Sequence, residues 1–458
     1  MMASRANYAQ FMTEMTSIAQ VIPQDIIRGI FVQVAGVQPL ETLRALWPAE
    51  FPWYLGRICS RWRTALLSIG PRKLFVVIDP DTAESITNVV TYFLDLNRGR
   101  QFDLILCYYC AAQGCILTNA MSHIFGLLVA ESAHWRHVCL RTSHPCVILG
   151  RYRLKDHLPS LQSLRFEDIT EPCLRVVPFH DGSCRDSFAN TPSLTHVKLS
   201  LTDWDWKFNW SNLTYLHLAG LKRTGTESIL LSLQQAINLN TLVTHTVFTN
   251  LTCERIILPR LESWRAYDCH WLSYIKAPTL QNLYVDSIYD NGIDVVTSFL
   301  CESGCKLAYL TWDGTKEPSS FSKILRHAPE LVHVKVLGNS DIIAASIESL
   351  SAPIPPDLAF VSDLPVPQLQ SLQVGLMIRG WLTDRIIEGL SKFLFFRNGR
   401  AASNGGRPID RVKWLIVENH VIRDERLRRL CEAFRVELHS PADALEIPSI
   451  FDRISRIF

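Results

Sequence analysis

A three-point pattern of apolar residues recurs along most of the chain and restricts its fold more than any other feature. The pattern is apolar-x-x-apolar-x-apolar, as in Leu161, Leu164 and Phe166, and its copies follow one another at irregular intervals of 19 to 43 residues. Further copies start at Leu194, Leu213, Leu261, Leu280, Leu307, Leu331, Leu369 and Val412, with a weaker one at Leu239. Self-similarity at such intervals is the signature of a repeat array.

Each copy predicts a short strand whose alternate side chains point inward, preceded by a turn. In six copies a proline stands two residues ahead of the first apolar residue, where its fixed φ stiffens that turn. These prolines are Pro159, Pro192, Pro259, Pro278, Pro329 and Pro367. One such strand cannot bury its apolar face alone, whereas stacked copies form a continuous core and a parallel sheet.

The segments between the copies complete the predicted fold class. Apolar residues recur at helical spacing in 227–236, 293–302 and 321–327. We therefore expect an α/β fold, an irregular solenoid with a parallel sheet on its concave face and helices and loops on its convex face.

The array is predicted to span residues 73–440. Its first units are less regular, as terminal units of repeat arrays usually are, and Trp135 starts another copy of the pattern. The other predicted elements are strands at 74–78 and 102–106, helices at 116–131 and 424–436, and surface loops at 352–367 and 397–408. Residues 1–20 and 441–458 are predicted to be tails.

Composition limits the classes of protein that the chain can belong to. Apolar residues make up 48% of the chain and the net charge is +2, which excludes a disordered or low-complexity protein. With 46 basic and 44 acidic residues, overall charge gives no reason to expect nucleic acid or a membrane as partner. The start of the chain lacks the apolar core of a signal peptide, and 13 cysteines without framework spacing are typical of a reducing compartment. We expect a soluble protein of the cytoplasm or nucleus.

The sequence offers no metal, cofactor or catalytic motif. Phosphate-binding glycine loops, zinc-protease helices and nucleophile elbows are absent from it. A structural zinc site needs four converging ligands, usually from two short-spaced pairs. Neither Cys107, Cys110 and Cys115 with His123, nor Cys301 with Cys305, provides two such pairs. We expect no enzymatic activity, no cofactor and no metal.

Residues 22–66 carry a different pattern. Ile22-Pro23 precedes Asp25, a combination that begins a helix, and Ile26, Ile27, Ile30 and Phe31 then form its apolar face. A second apolar stripe consists of Leu55, Ile58, Cys59, Trp62 and Leu66. Two short helices have too little mass for a core of their own and need a partner surface.

This segment resembles an F-box of the kind found in fungal F-box-like proteins. The matching pieces are Ile22-Pro23, the 26–31 apolar face, and 58–63, which reads Ile-Cys-Ser-Arg-Trp-Arg. The repeats that follow resemble irregular intracellular leucine-rich repeats. The resemblance implies an F-box-like domain at 21–72 that docks onto the Skp-type adaptor of a cullin-RING ubiquitin ligase, with the repeats holding a target protein.

By that resemblance, a set of apolar residues forms the adaptor-binding and supporting surfaces. Alternatively, the same residues are the core of a small helical cap packed on the repeats, and Trp62 suits such an internal place best. Pro23 and Ile26 are the stronger candidates for adaptor contact. The predicted set is Pro23, Ile26, Ile27, Ile30, Phe31, Leu55, Ile58 and Trp62.

The residue beside each middle apolar position points to the open face of the predicted sheet, because strand side chains alternate. Cations and aromatic rings on that face could hold an acidic or phosphorylated segment of the target. The alternative is an ordinary solvated face. This central row contains Arg165, Lys198, His217, Val243, Arg265, Tyr284, Thr311, Lys335, Gln373 and Ile416, and a second row adds Tyr215, Tyr309, His333 and Trp414.

The sequence thus predicts a substrate receptor of a ubiquitin ligase of the Skp, cullin and F-box type. Its predicted partners are the adaptor, through it the cullin-RING ligase, and a target protein, with no nucleic acid and no membrane. The alternative is a leucine-rich-repeat interaction scaffold outside ubiquitination. The residues predicted to bind the target are Arg165, Lys198, His217, Arg265, Tyr284 and Lys335.

Overall fold

The structure is a computed structural model, and it describes most of the chain between residues 21 and 439. The described residues are 21–35, 42–44, 60–69, 72–78, 83–108, 118–142, 149, 152, 154–167, 186–200, 206–219, 226–245, 254–286, 292–313, 318–351, 368–376, 384–399, 411–417 and 424–439. The chain divides into two compact units, Met1–Asn212 and Leu213–Phe458. This division falls inside the predicted 73–440 array.

The first unit contains a parallel sheet whose strands follow one another in chain order. The strands are β1 Thr42–Arg44, β2 Lys73–Ile78, β3 Phe102–Tyr108, β4 Trp135–Arg141, β5 Ser163–Glu167 and β6 His196–Leu199. The described helices are α1 Gln24–Ala35, α2 Ser60–Ile69, α3 Ala83–Leu96 and α4 Asn119–Ala130. Helices α3 and α4 connect β2 to β3 and β3 to β4, whereas α1 and α2 pack against each other.

The second unit repeats this organisation with more helices. Its parallel sheet contains, in order, β7 Tyr215–Leu218, β8 Thr241–Thr244, β10 Ser263–Ala266, β12 Asn282–Val285, β13 Tyr309–Asp313, β14 His333–Gly338, β15 Ser371–Leu376, β16 Trp414–Val417 and β17 Glu437–His439, and β9 Ile256–Ile257 pairs separately with β11 Ile275–Lys276. The described helices are α5 Thr226–Leu233, α6 Gly292–Ser303, α7 Pro318–Arg326, α8 Ser340–Ser351, α9 Asp384–Leu394 and α10 Glu425–Phe434. Each unit is therefore mixed α/β with the strand order of a solenoid-like fold.

The apolar register forms these strands because alternate side chains are removed from water. In β5, Leu164 and Phe166 are fully buried while Arg165 between them is half-buried. The first residue of each copy lies ahead of its strand and is also buried, as Leu161 and Leu280 illustrate. Every copy named above corresponds to a strand, so the predicted α/β class with a parallel sheet is confirmed.

The proline turns are confirmed as well. In five copies the carbonyl of the residue before proline accepts a hydrogen bond from the backbone N–H of the first apolar residue, at 3.2 to 3.4 Å. Proline thus occupies the second position of a turn, which its φ favours. Neighbouring turns are joined, because the Ser193 hydroxyl donates to the Pro159 carbonyl at 2.7 Å and the Thr279 hydroxyl donates to the Pro259 carbonyl at 3.0 Å. The turn at Pro367 lies outside the described residues.

The connecting helices agree with the sequence only in part. Helices α4, α5, α6, α7 and α10 match predicted helical segments within a few residues. Helices α3, α8 and α9 were not predicted. The predicted loop at 352–367 lies outside the described residues, and Phe395–Gly399, at the start of the other predicted loop, forms a π-helical turn. Within the described part of the chain, no helix has the length and apolar character needed to cross a bilayer.

Candidate functional site

One side of each sheet carries polar and aromatic side chains that are only half-buried, here called the polar face. In the first unit, strand register places Cys139, Arg165 and Lys198 side by side across β4, β5 and β6. In the second unit, the central row runs without a gap through His217, Val243, Arg265, Tyr284, Thr311, Lys335, Gln373, Ile416 and His439. Two members, Val243 and Ile416, are buried, so the row is not uniformly open to solvent.

In the first unit, the predicted cations surround a carboxylate. Glu167, two residues beyond Arg165 on the same strand, forms ion pairs with Arg165, with Arg141 at 2.7 Å and with Lys198 at 3.9 Å. Burial acts to raise the pKa of Glu167, but the charges of Arg165, Arg141 and Lys198 outweigh it and hold that pKa below its usual range. Burial, assisted by the charge of Arg165, lowers the pKa of Lys198. The cluster of three cations and one carboxylate is therefore a mutually paired, half-buried group with a surplus of positive charge.

Cys139 lies beside this cluster but is not a reactive thiol. Its Sγ is 3.8 Å from Glu167 Oε2. Burial, followed by the charge of Glu167, raises the pKa of the thiol to about 11. Because the thiolate is the nucleophilic form, Cys139 is inert at neutral pH.

In the second unit, four rings form a continuous chain of contacts, in which three rings are stacked and the fourth is tilted. His217 stacks on His245 with ring centroids 4.9 Å apart, His245 on Tyr267 at 3.5 Å, and Tyr267 meets Tyr284 at 5.4 Å. The Arg265 guanidinium lies over both tyrosine rings, 4.6 Å from the Tyr267 centroid and 4.3 Å from that of Tyr284. The predicted residues His217, Arg265 and Tyr284 are thus brought into one cluster.

The two tyrosines among these four rings are neutral at physiological pH. The Tyr284 hydroxyl donates to Asp286 Oδ2 at 3.3 Å. Burial, followed by the charge of Asp286, raises the pKa of Tyr284 to about 12, and burial also raises the pKa of Tyr267. The rings therefore offer flat faces and hydroxyl groups for binding and no phenolate base.

A second aromatic group lies further along the same sheet. Tyr309 stacks on His333 at 4.4 Å, and the rings of His333 and Trp414 are nearly parallel with centroids 6.4 Å apart. Lys335, on the strand of His333, occupies the central row between Thr311 and Gln373. Burial lowers the pKa of the His333 imidazole to about 4, so this ring is neutral at pH 7.

The His333→Phe variant is expected to reduce the loss of stability in mild acid. In the wild type the unfolded chain takes up a proton near pH 6.5, well before the folded chain does, so the free energy of unfolding falls as pH falls. Through His333, the free energy of unfolding of the wild type is roughly 2 kcal/mol lower at pH 5 than at pH 7. The phenylalanine ring cannot be protonated, so this contribution is absent in the variant. Urea denaturation at both pH values measures the free energy of unfolding. His327→Phe, at an exposed position, is the control. If the free energy of unfolding changes with pH equally in wild type and His333→Phe, the expectation is contradicted.

Four residues of these clusters are not among those that the sequence predicts for the polar face. Glu167, His245, Tyr267 and Asp286 each lie two positions beyond a member of the central row. The predicted second row extends two positions the other way, towards the start of each strand. The alternation of side chains along each strand, extended past the last apolar residue of the pattern, places all four on the polar face. The central row itself contains cations and no acid, and Glu167, the acid that pairs with Arg165 and Lys198, is in the next row.

The described residues include one group with the composition of a metal site. Asp268, Cys269 and His270 bring their ligand atoms within 4.8 Å of one another. Asp268 Oδ1 already accepts from the His270 backbone N–H at 3.0 Å and lies 2.7 Å from its Nδ1. Burial raises the pKa of the Cys269 thiol to about 11. These interactions account for the cluster without an ion, and we assign no metal to it.

The cysteines considered for zinc in the sequence give no further support for a metal. Burial raises the pKa of Cys305 to about 11, and Cys107 is buried with its pKa raised by burial as well. Cys110 and Cys115 lie outside the described residues. The absence of a metal stays a prediction.

The residues of the predicted adaptor-binding set differ in their exposure on the N-terminal helix pair. Ile27 is completely buried, as is Ala65 of the second helix, and the two helices pack against each other. Pro23 is exposed and Ile26 is 55% exposed. Ile30 and Trp62 are half-buried, whereas Leu55, Ile58 and the side chain of Phe31 lie outside the described part.

No family model matches this chain, and no curated protein matches it significantly. The likeness to F-box and leucine-rich-repeat proteins therefore depends on the residues quoted above.

Proposed function

We propose that the chain is a non-catalytic substrate receptor of a ubiquitin ligase of the Skp, cullin and F-box type. In this function the N-terminal helix pair binds the Skp-type adaptor and the polar face of the repeats holds a target protein. The cullin-RING assembly supplies the chemistry, and the receptor contributes by holding the target close to it.

The observation that carries the proposal is the exposed apolar end of helix α1. Ile26 is 55% exposed and the preceding Val21 is 74% exposed, next to exposed Pro23, although Ile27 beside them is fully buried. A helix pair that buries Ile27 and still presents apolar side chains to water has a surface suited to a protein partner. Pro23, Ile26 and Ile27 are positions of the F-box-like motif.

The polar face supports the second half of the proposal. It combines half-buried arginine and lysine side chains with stacked tyrosine and histidine rings. Arginine and tyrosine are the residue types most enriched among strongly contributing interface residues. A face of this composition suits a protein target better than a small apolar ligand, which prefers a closed pocket.

The Pro23→Ala, Ile26→Ala double variant is expected to lose capture by a Skp-type adaptor. Both residues are exposed, so their removal takes away contact area without creating a cavity in the helix pair. Pull-down of the full chain with purified adaptor measures the loss, which we expect to be about tenfold or more if both side chains are central to the contact.

The matched control is Ile237→Ala, because Ile237 is 51% exposed and belongs to the second unit. It should bind the adaptor as the wild type does. If wild type and the double variant bind equally poorly, the ligase proposal fails, and the chain is a repeat scaffold in which the N-terminal helices act as a cap.

A further inference from the structure

Arg265 differs from the arginines of the polar face in the first unit. Arg165 and Arg141 are paired with Glu167, and Arg136 makes a two-point contact with Asp103 at 2.9 and 3.0 Å. Arg265, in contrast, has no carboxylate within ion-pair distance among the described residues. The missing carboxylate, rather than the solvent-shielded Nε, distinguishes Arg265, because the Nε of Arg165 is shielded from solvent too.

The guanidinium is nevertheless held in place. It lies 4.6 Å from the ring centroid of Tyr267 and 4.3 Å from that of Tyr284. Contact with two aromatic faces fixes the plane of the group before any ligand arrives, which lowers the conformational cost of binding. A half-buried cation with few acceptors around it attracts an anion more strongly than a fully hydrated cation does.

Asp286, the acid bound to this platform, is not among the described ion pairs of Arg265. Asp286 accepts the Tyr284 hydroxyl at 3.3 Å and, after burial, is the second cause of the raised pKa of that tyrosine. On the other side of the platform, Tyr267 is stacked on the exposed His245. The guanidinium thus contacts two phenol rings, one of which is also stacked on an imidazole.

We propose that Arg265 on its tyrosine platform recognises an oxyanion, the carboxylate or phosphate of a side chain in a protein segment that lies along the polar face. The planar fork of the guanidinium matches two oxygens of either group. The inference rests on the proposed function only in identifying this segment as part of the target. It names the chemistry of the target, an acidic or phosphorylated segment.

Calorimetric titration of the full chain with inorganic phosphate and with acetate tests the site itself. Binding of at least one of the two anions to the wild type is expected, and Arg265→Gln should weaken it about tenfold. Arg265→Lys keeps the charge and loses the fork, so it should show a smaller loss. The control is Arg260→Gln, because Arg260 is exposed and bonds to Asn238 Oδ1 at 2.7 Å, and it should not change binding.

Peptide arrays distinguish the two sources of the oxyanion. Peptides with random flanks carry glutamate, phosphoserine or glutamine at one central position. The wild type is expected to retain glutamate or phosphoserine peptides more strongly than glutamine peptides, and Arg265→Gln is expected to lose this preference. The residue that the wild type prefers shows whether the oxyanion is a carboxylate or a phosphate.

Three results would overturn the inference. The first is binding by Arg265→Gln equal to that of the wild type, and the second is no anion binding by the wild type. The third is loss of binding in Arg165→Gln with Arg265→Gln unaffected, which would assign the anion to the cluster around Glu167. Because these titrations need no adaptor, their failure is distinct from failure of the ligase proposal.

Discussion

Replacement of Trp264 by alanine is expected to lower the stability of the repeats around it by about 4 kcal/mol. Trp264 is fully buried in β10, between Leu242 and Leu283 of the adjacent strands. Its ring meets Phe299 of α6 edge to face with centroids 5.6 Å apart, and its Nε1 donates to Thr244 Oγ1 at 3.3 Å. Alanine leaves a large cavity and removes the donor from a buried hydroxyl, and both effects are destabilising.

Hydrogen exchange locates this loss along the array. Because each repeat contacts mainly its neighbours, protection should fall most in β8, β10 and β12 and much less in β16 and β17. Trp414→Ala is the matched control, since that ring is half-buried on the polar face and its removal should cost far less. Equal effects of the two substitutions on β8, β10 and β12 would contradict this account.

Replacement of Glu167 by glutamine is expected to destabilise the first unit by about 3 kcal/mol at neutral pH. Glutamine keeps the shape of the side chain but leaves Arg141, Arg165 and Lys198 close together without their shared carboxylate. The side chains of Arg165 and Lys198 are only 20% and 22% exposed, so water screens their repulsion incompletely. The cost should therefore exceed that of an ordinary surface ion pair.

Two comparisons check this explanation. Glu131→Gln, which removes the partner of His134 at a more exposed place, should change stability by about 0.5 kcal/mol or less. Since the folded pKa of Glu167 lies below the unfolded one, its contribution is present above the unfolded pKa and is lost as pH falls through the folded value. The difference between wild type and Glu167→Gln should accordingly shrink in acid. Adding Arg165→Gln to Glu167→Gln should restore part of the stability, and a further loss would contradict the role of charge.

The strands could be predicted from the sequence because one physical requirement, burial of alternate residues, fixes their place. Leu164 and Phe166, or Leu283 and Val285, leave little choice about which side chains enter the core. The segments that connect the strands follow no such rule. Two neighbouring strands keep the same register whether a helix such as α8 or α9 or an irregular loop connects them, so the register does not predict these helices.

The clusters on the polar face were predictable only in part. The row containing Arg165 and Lys198 follows from strand alternation, but the ion pair between Arg141 and Glu167 joins residues 26 positions apart. Such a contact is known only after the strand order and the register are known. In α1, Ile26 and Ile27 are adjacent apolar residues, and only the packing around the helix decides that Ile27 is the buried one.

Because the strands pair in chain order, the segment that connects two neighbouring strands can change in length without changing how the strands pair. Residues 267–281 join β10 to β12, and residues 339–370 join β14 to β15, yet both connections deliver the next strand to the same register. Doubling the length of a flexible connection costs only about 0.6 kcal/mol. Over generations, such a chain can gain or lose whole surface segments while the side chains of the polar face keep their neighbours.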